Sequence, residues 1–70
     1  MNSQIEAFRT LLEAQESGTY TEELELACIR AFPGELAEAL LEAIEIDGDE
    51  YYNKTDEELD AILDELYESI

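Results

Sequence analysis

Carboxylates are the only chemically active side chains present in quantity. Twenty Asp plus Glu stand against three Lys plus Arg, a formal charge of −17 over 70 residues. Paired carboxylates can act as general acid and base, hold a hard cation, or present an anionic face to a cationic partner. The residue types that other chemistries require are missing. There is no His, so nucleophiles activated by His and His-containing zinc sites are ruled out. The single Cys28 can make neither a zinc cage nor an internal disulfide. A chain this short buries only about 60% of its surface and rarely owns the water-excluding cleft that carboxylate catalysis needs. No enzymatic activity, cofactor or metal is therefore expected.

The acids are unevenly placed. Residues 1–32 hold six acids and two Arg, and residues 33–70 hold fourteen acids and one Lys, so the net charges are −4 and −13. Glu35, Glu38, Glu42 and Glu45 step by three, four and three. On a helix they share an arc of about 80°. Glu57, Asp60, Asp64 and Glu68 share a similar arc, with Glu58 and Glu65 at its edge. Asp47, Asp49, Glu50 and Asp56 lie between the two sets. The expectation is two acidic ribbons bridged by an acidic loop. Crowding of this kind is expected to raise carboxylate pKa values, and like charges at i,i+4 each cost a few tenths of a kcal/mol.

Four amphipathic segments position these groups in an all-α domain, a small antiparallel bundle of about four short helices. The first spans about Asn2 to Glu16, with a Ser3–Glu6 capping box, inward Ile5, Phe8, Leu11 and Leu12, and Gly18 as its stop. The second spans about Thr21 to Phe32, capped either by a Thr19–Glu22 box or by Thr21 alone. Pro33-Gly34 breaks the chain, with Pro33 a candidate for the first position of the third helix, which runs from Glu35 to about Ile46 with Leu36, Ala37, Leu40, Leu41 and Ile44 inward. Asp47-Gly48-Asp49 marks a turn, and the chain through Lys54 is expected to be loop. A Thr55–Glu58 capping box opens the fourth, whose Leu59, Ile62, Leu63, Leu66, Tyr67 and Ile70 recur at helical spacing. Val is absent and no alternating run occurs, so strands are not expected. No apolar run approaches a membrane span, and a cytoplasmic location is expected.

Charge density narrows the partner. B-DNA carries one charge per about 1.7 Å, so 17 charges match about 29 Å of duplex. A compact 70-residue domain has a diameter of roughly 28 Å. Direct contact with nucleic acid or an anionic membrane is disfavoured by repulsion; a basic nucleic-acid-binding protein is the complementary partner. In these features the chain resembles the DNA mimics encoded by phages and mobile elements, small acidic inhibitors of restriction enzymes, CRISPR effector complexes or other DNA-binding host proteins. The resemblance lies in composition and charge pattern, on Glu35, Glu38, Glu42, Glu45, Asp47, Asp49, Glu50, Glu57, Asp60, Asp64 and Glu68. It implies competitive occupancy of a nucleic-acid site without catalysis.

Other readings use the same residues. Asp47 to Glu58 has an EF-hand-like outline, but Tyr51, Tyr52 and Lys54 occupy three of its required positions. Tyr51-Tyr52 beside Asp49 and Glu50 is similar to the paired Tyr of colicin-type nuclease immunity proteins. Here Tyr51 is assigned to the partner-binding face and Tyr52 to capping the core. An acyl carrier needs a Ser in an Asp-Ser-Leu turn; Ser3, Ser17 and Ser69 have no such context. In the second segment, Leu24, Ala27, Cys28 and Ala31 mark one face while Leu26 and Ile29 lie nearly opposite. Either that helix is central and buried all round, the expectation for a four-helix bundle, or one face is left for a homodimer.

Overall fold

Two local rules set three of the helix ends. A helix opens where a side chain can accept from its orphan N–H groups and stops where the backbone turns left-handed. The computed structural model, which describes residues 3–70, has α1 (Ser3–Ser17), α2 (Glu22–Ile29), α3 (Gly34–Tyr52) and α4 (Asp56–Ser69), with no strand among the described residues. Gly18 has φ +76°, and the N–H of Thr19 reaches back to the Ala14 carbonyl at 2.9 Å to close α1. Thr21 alone caps α2, accepting from the Leu24 N–H at 3.2 Å. At α4 the Thr55 hydroxyl accepts from the Glu58 N–H at 3.2 Å, and the Glu58 carboxylate accepts from the Thr55 N–H at 3.0 Å. This is the capping box expected from the sequence. The expected α1 start at Asn2 lies outside the described residues, and Ser3 is already helical rather than a cap.

The core is a leucine-rich seam. Phe8, Leu11 and Leu12 of α1 meet Leu36 and Leu40 of α3 and Leu59 and Leu63 of α4, all essentially inaccessible to water. Ile5, Cys28, Phe32, Ala37 and Ile44 complete it. α1 is the hub, packing against α2, α3 and α4, while α3 also packs against α4. The domain measures 30 × 26 × 24 Å, with a radius of gyration of 10.9 Å. No polar or charged residue is buried among the described residues.

Four expectations are corrected. First, the acidic segment after Ile46 is not loop. α3 passes through Asp47 with a single non-helical residue (φ −119°, ψ 16°) and continues to Tyr52. Asp and Gly are weak helix formers and the backbone departs from helical at Asp47, but Tyr51 one turn later packs on the core and holds the continuation in place. The connection to α4 shrinks to residues 53–55. Second, α2 is neither central nor as long as expected. It ends at Ile29, Cys28 is its one buried residue, and Leu26 on its outer side is 49% exposed. Its place at the centre is taken by α1, whose apolar stripe is wider and faces three neighbours. Third, Pro33 is the N-cap of α3 rather than its first helical residue, since its ψ of 149° is extended. Fourth, Tyr67 and Ile70 are exposed, because the core reaches along α4 only as far as Leu63, flanked by Ile62 and Leu66.

Candidate acidic binding face

The ribbon carboxylates all point to solvent. Glu35, Glu38, Glu42 and Glu45 are exposed along α3, opposite Leu36, Leu40 and Ile44. Glu57, Asp60, Asp64 and Glu68 are exposed along α4, opposite Leu59 and Leu63. The helical periods that bury the leucines thereby set the acids outward; no separate device is needed. Asp47, Asp49 and Glu50 are exposed too, but on the kinked last turns of α3.

Cations do little to neutralise this surface. Among the described residues two ion pairs form, both at the start of α4. Arg9 Nη2 meets Asp56 Oδ1 at 2.7 Å, and Lys54 Nζ lies 3.8 Å from Glu58 Oε2. Arg9 also donates through Nε to Asp56 at 3.1 Å and through Nη2 to the Lys54 carbonyl at 3.1 Å, tying α1 to the α3–α4 connection. Asp56 is thus a structural member of the acidic set, whereas the eight ribbon carboxylates have no ion pair among the described residues. The expected rise in carboxylate pKa is reversed at Glu58, which is held below its ordinary value chiefly by the Thr55 N–H, with the Thr55 hydroxyl and Lys54 adding to the effect.

The tyrosines are exchanged relative to expectation. Tyr51 is half-buried, its ring edge-on to Phe8 with centroids 5.9 Å apart, while Tyr52 is 39% exposed. Because α3 continues past Asp47, Tyr51 follows Ile44 by seven residues and falls on the same inward face, while Tyr52, one position on, turns outward. Burial, helped by nearby Asp47, Glu50 and Glu65, pushes the Tyr51 phenol upward. Tyr51 thus spends part of its ring on the core, and Tyr52 is the more exposed of the pair. The EF-hand outline fails as geometry: the chain over 48–52 is helical and Thr55–Glu58 is a capping box, so Asp47 to Glu58 does not form a twelve-residue loop around a cation. Among the described residues no group of three or more potential ligands converges to hold a metal, and no helix is long and apolar enough to cross a membrane.

Two features were not expected from the sequence. Ile46 is 71% exposed and shares the acidic side of α3. Its register was legible: it follows Glu42 by four and so lies on the same face. The second is a groove of about 490 Å³ between the end of α1, the start of α2 and the middle of α3, with Leu41 and Ile44 in its lining. It joins residues far apart in sequence, so no local pattern announces it. Its Tyr20 hydroxyl donates to Glu25 Oε1 at 2.9 Å, and burial followed by this bond pushes the phenol well above its ordinary range.

Comparison with family models, curated proteins and solved structures returns no match, so function rests on this geometry alone.

Proposed function

We propose that this protein is a non-enzymatic inhibitor that imitates double-stranded DNA with the acidic faces of α3 and α4 and occupies the basic nucleic-acid channel of a DNA-binding protein. A restriction enzyme or a CRISPR effector complex is the kind of target meant, encountered in the cytoplasm. The observation that supports this reading most directly is the set of eight exposed ribbon carboxylates without ion pairs among the described residues. A surface built only for solubility mixes charge signs and carries a net charge of roughly 2–8. Here 17 net charges lie along a 30 Å axis, one per about 1.8 Å, close to the roughly 1.7 Å of B-DNA. A Lys/Arg channel would meet a comparable field that carries no bases and no cleavable bond.

The colicin-type immunity reading is weakened by Tyr51, since the tyrosine assigned to the interface is engaged with Phe8 and only Tyr52 stands outside. Capture from a host lysate followed by salt elution tests the proposal. A DNA-binding complex should be recovered, and DNA should compete for the same site. Changing Glu38, Glu42, Asp60 and Asp64 together to Lys should weaken target binding by at least about 100-fold while helicity is retained. Binding should fall steeply between about 50 and 500 mM salt. Inhibition that survives the quadruple change, or a flat salt response, would remove the ribbons from the site.

A further inference from the structure

The acidic faces explain long-range attraction but no specific grip, and the groove beside α3 supplies one. Its floor is apolar, with Leu41 half-buried and Ile44 buried. Tyr20 lines one side, and three carboxylates, Glu25, Glu42 and Glu45, stand around it. Glu25 is fixed in place by the Tyr20 hydroxyl at 2.9 Å, a neutral donor that leaves the carboxylate its charge. Among the described residues, none of the three carboxylates is in an ion pair. The volume, about 490 Å³, falls within the roughly 300–1,000 Å³ of sites that hold small groups.

An apolar floor under an anionic rim complements one kind of side chain: a long hydrocarbon stem ending in a cation. Resting on the view that the protein docks into a basic channel, we propose that this groove receives an arginine side chain of the partner, its stem on Leu41 and Ile44 and its guanidinium between the carboxylates. Arginine suits the groove better than lysine for three reasons. Its planar fork matches carboxylates two bonds at a time, it is more weakly hydrated, and it stacks on an aromatic face such as that of Tyr20. The groove borders the α3 ribbon through Glu42 and Glu45, so an arginine held there would set the register of a channel lying along that helix.

The first arm of the test needs no target. Capped Gly-Arg-Gly and Gly-Lys-Gly peptides are titrated into the full chain while the methyl resonances of Leu41 and Ile44 and the ring of Tyr20 are followed by NMR. The arginine peptide should shift these signals saturably and bind at least about fivefold more tightly than the lysine peptide. The Glu25→Gln, Glu45→Gln double variant keeps hydrogen-bond acceptors but removes two charges, and should weaken binding about tenfold. Leu41→Gln leaves the net charge untouched and should weaken it similarly, with circular dichroism reporting the fold of each variant. Unmoved groove methyls overturn the proposal. Equal affinity for the two peptides, with shifts spread along both ribbons, also overturns it. If mimicry is correct and the groove idle, Leu41→Gln keeps full target binding. If the groove is correct and mimicry wrong, the arginine peptide still binds while DNA fails to compete for the target.

Discussion

Tyr51 stands edge-on to Phe8, their ring centroids 5.9 Å apart and their planes at 87°. This contact joins the last turn of α3 to the middle of α1 and explains why a helix with Asp47-Gly48 inside it does not end there. Edge-to-face pairs contribute about 0.5–1.5 kcal/mol beyond the apolar area they bury. Tyr51→Ala should therefore cost about 2 kcal/mol or more in urea or thermal unfolding. Tyr52→Ala, at an exposed position, should change stability by no more than about 0.5 kcal/mol. Equal losses from the two variants would contradict the inward placement of Tyr51.

Neutralising single acids should have opposite effects according to their neighbours. Asp56 is held by Arg9 through two nitrogens, so Asp56→Asn should destabilise the fold by about 0.5–1 kcal/mol, within the range of partly exposed pairs. Asp64 has Asp60 and Glu68 four residues to either side on α4 and lies toward the unfavourable negative end of that helix. Asp64→Asn should stabilise by about 0.3–0.8 kcal/mol. Added salt should raise the melting temperature of the native protein and narrow the gap between it and Asp64→Asn. Destabilisation by both substitutions would show that repulsion along α4 is negligible.

Acid should weaken the start of α4. The Glu58 carboxyl is more acidic folded than its ordinary 4.5, chiefly because it accepts from the Thr55 N–H. A group whose folded pKa is lowered stabilises fully above its unfolded value and loses that effect as pH falls through the folded one. Glu58→Gln preserves the acceptor without the charge. It should melt below the native protein at pH 7, and the difference should vanish at pH values well under 4.5. Thr55→Ala removes the other half of the box and should cost about 1 kcal/mol at pH 7. A Glu58→Gln deficit that persists unchanged in acid would separate it from ionisation.

Alkali should act through Tyr20. Its phenol is held protonated well above its ordinary 10.0, first by burial and then by the bond to Glu25. Because the folded form keeps the proton that the unfolded form releases, stability is whole below pH 10 and declines as pH rises beyond it. Tyr20→Phe should cost about 1 kcal/mol at pH 7 through the lost hydrogen bond. It should also flatten the decline in unfolding free energy above pH 10. A decline of the same slope in the variant would place the sensitive group elsewhere, with Tyr51 the next to test.

The outward charge of the candidate face follows from residue spacing. Glu35, Glu38, Glu42 and Glu45, and likewise Glu57, Asp60, Asp64 and Glu68, recur at intervals that fix them opposite the leucines once a helix forms. Their relation to cations was not readable. Arg9 reaches Asp56 across 47 positions of sequence, and nothing local to either residue announces the partnership. The groove around Leu41 is invisible for the same reason, since Tyr20 and Glu25 are brought to α3 only by the packing of α2 on α1.

What the sequence settles alone are features made within one helical turn: the left-handed stop at Gly18, the capping box at Thr55, the leucine stripes of α1, α3 and α4, and the acids opposite those of α3 and α4. Each depends on groups three to five residues apart, so the residue types suffice to specify it. Tertiary packing decided that α1 rather than α2 lies at the centre, that α3 bends at Asp47 instead of ending, and that Tyr51 turns inward while Tyr52 stays out. In those places local preferences were weak or in conflict, and burial of a large side chain against a distant neighbour outweighed a turn signal worth about 1 kcal/mol.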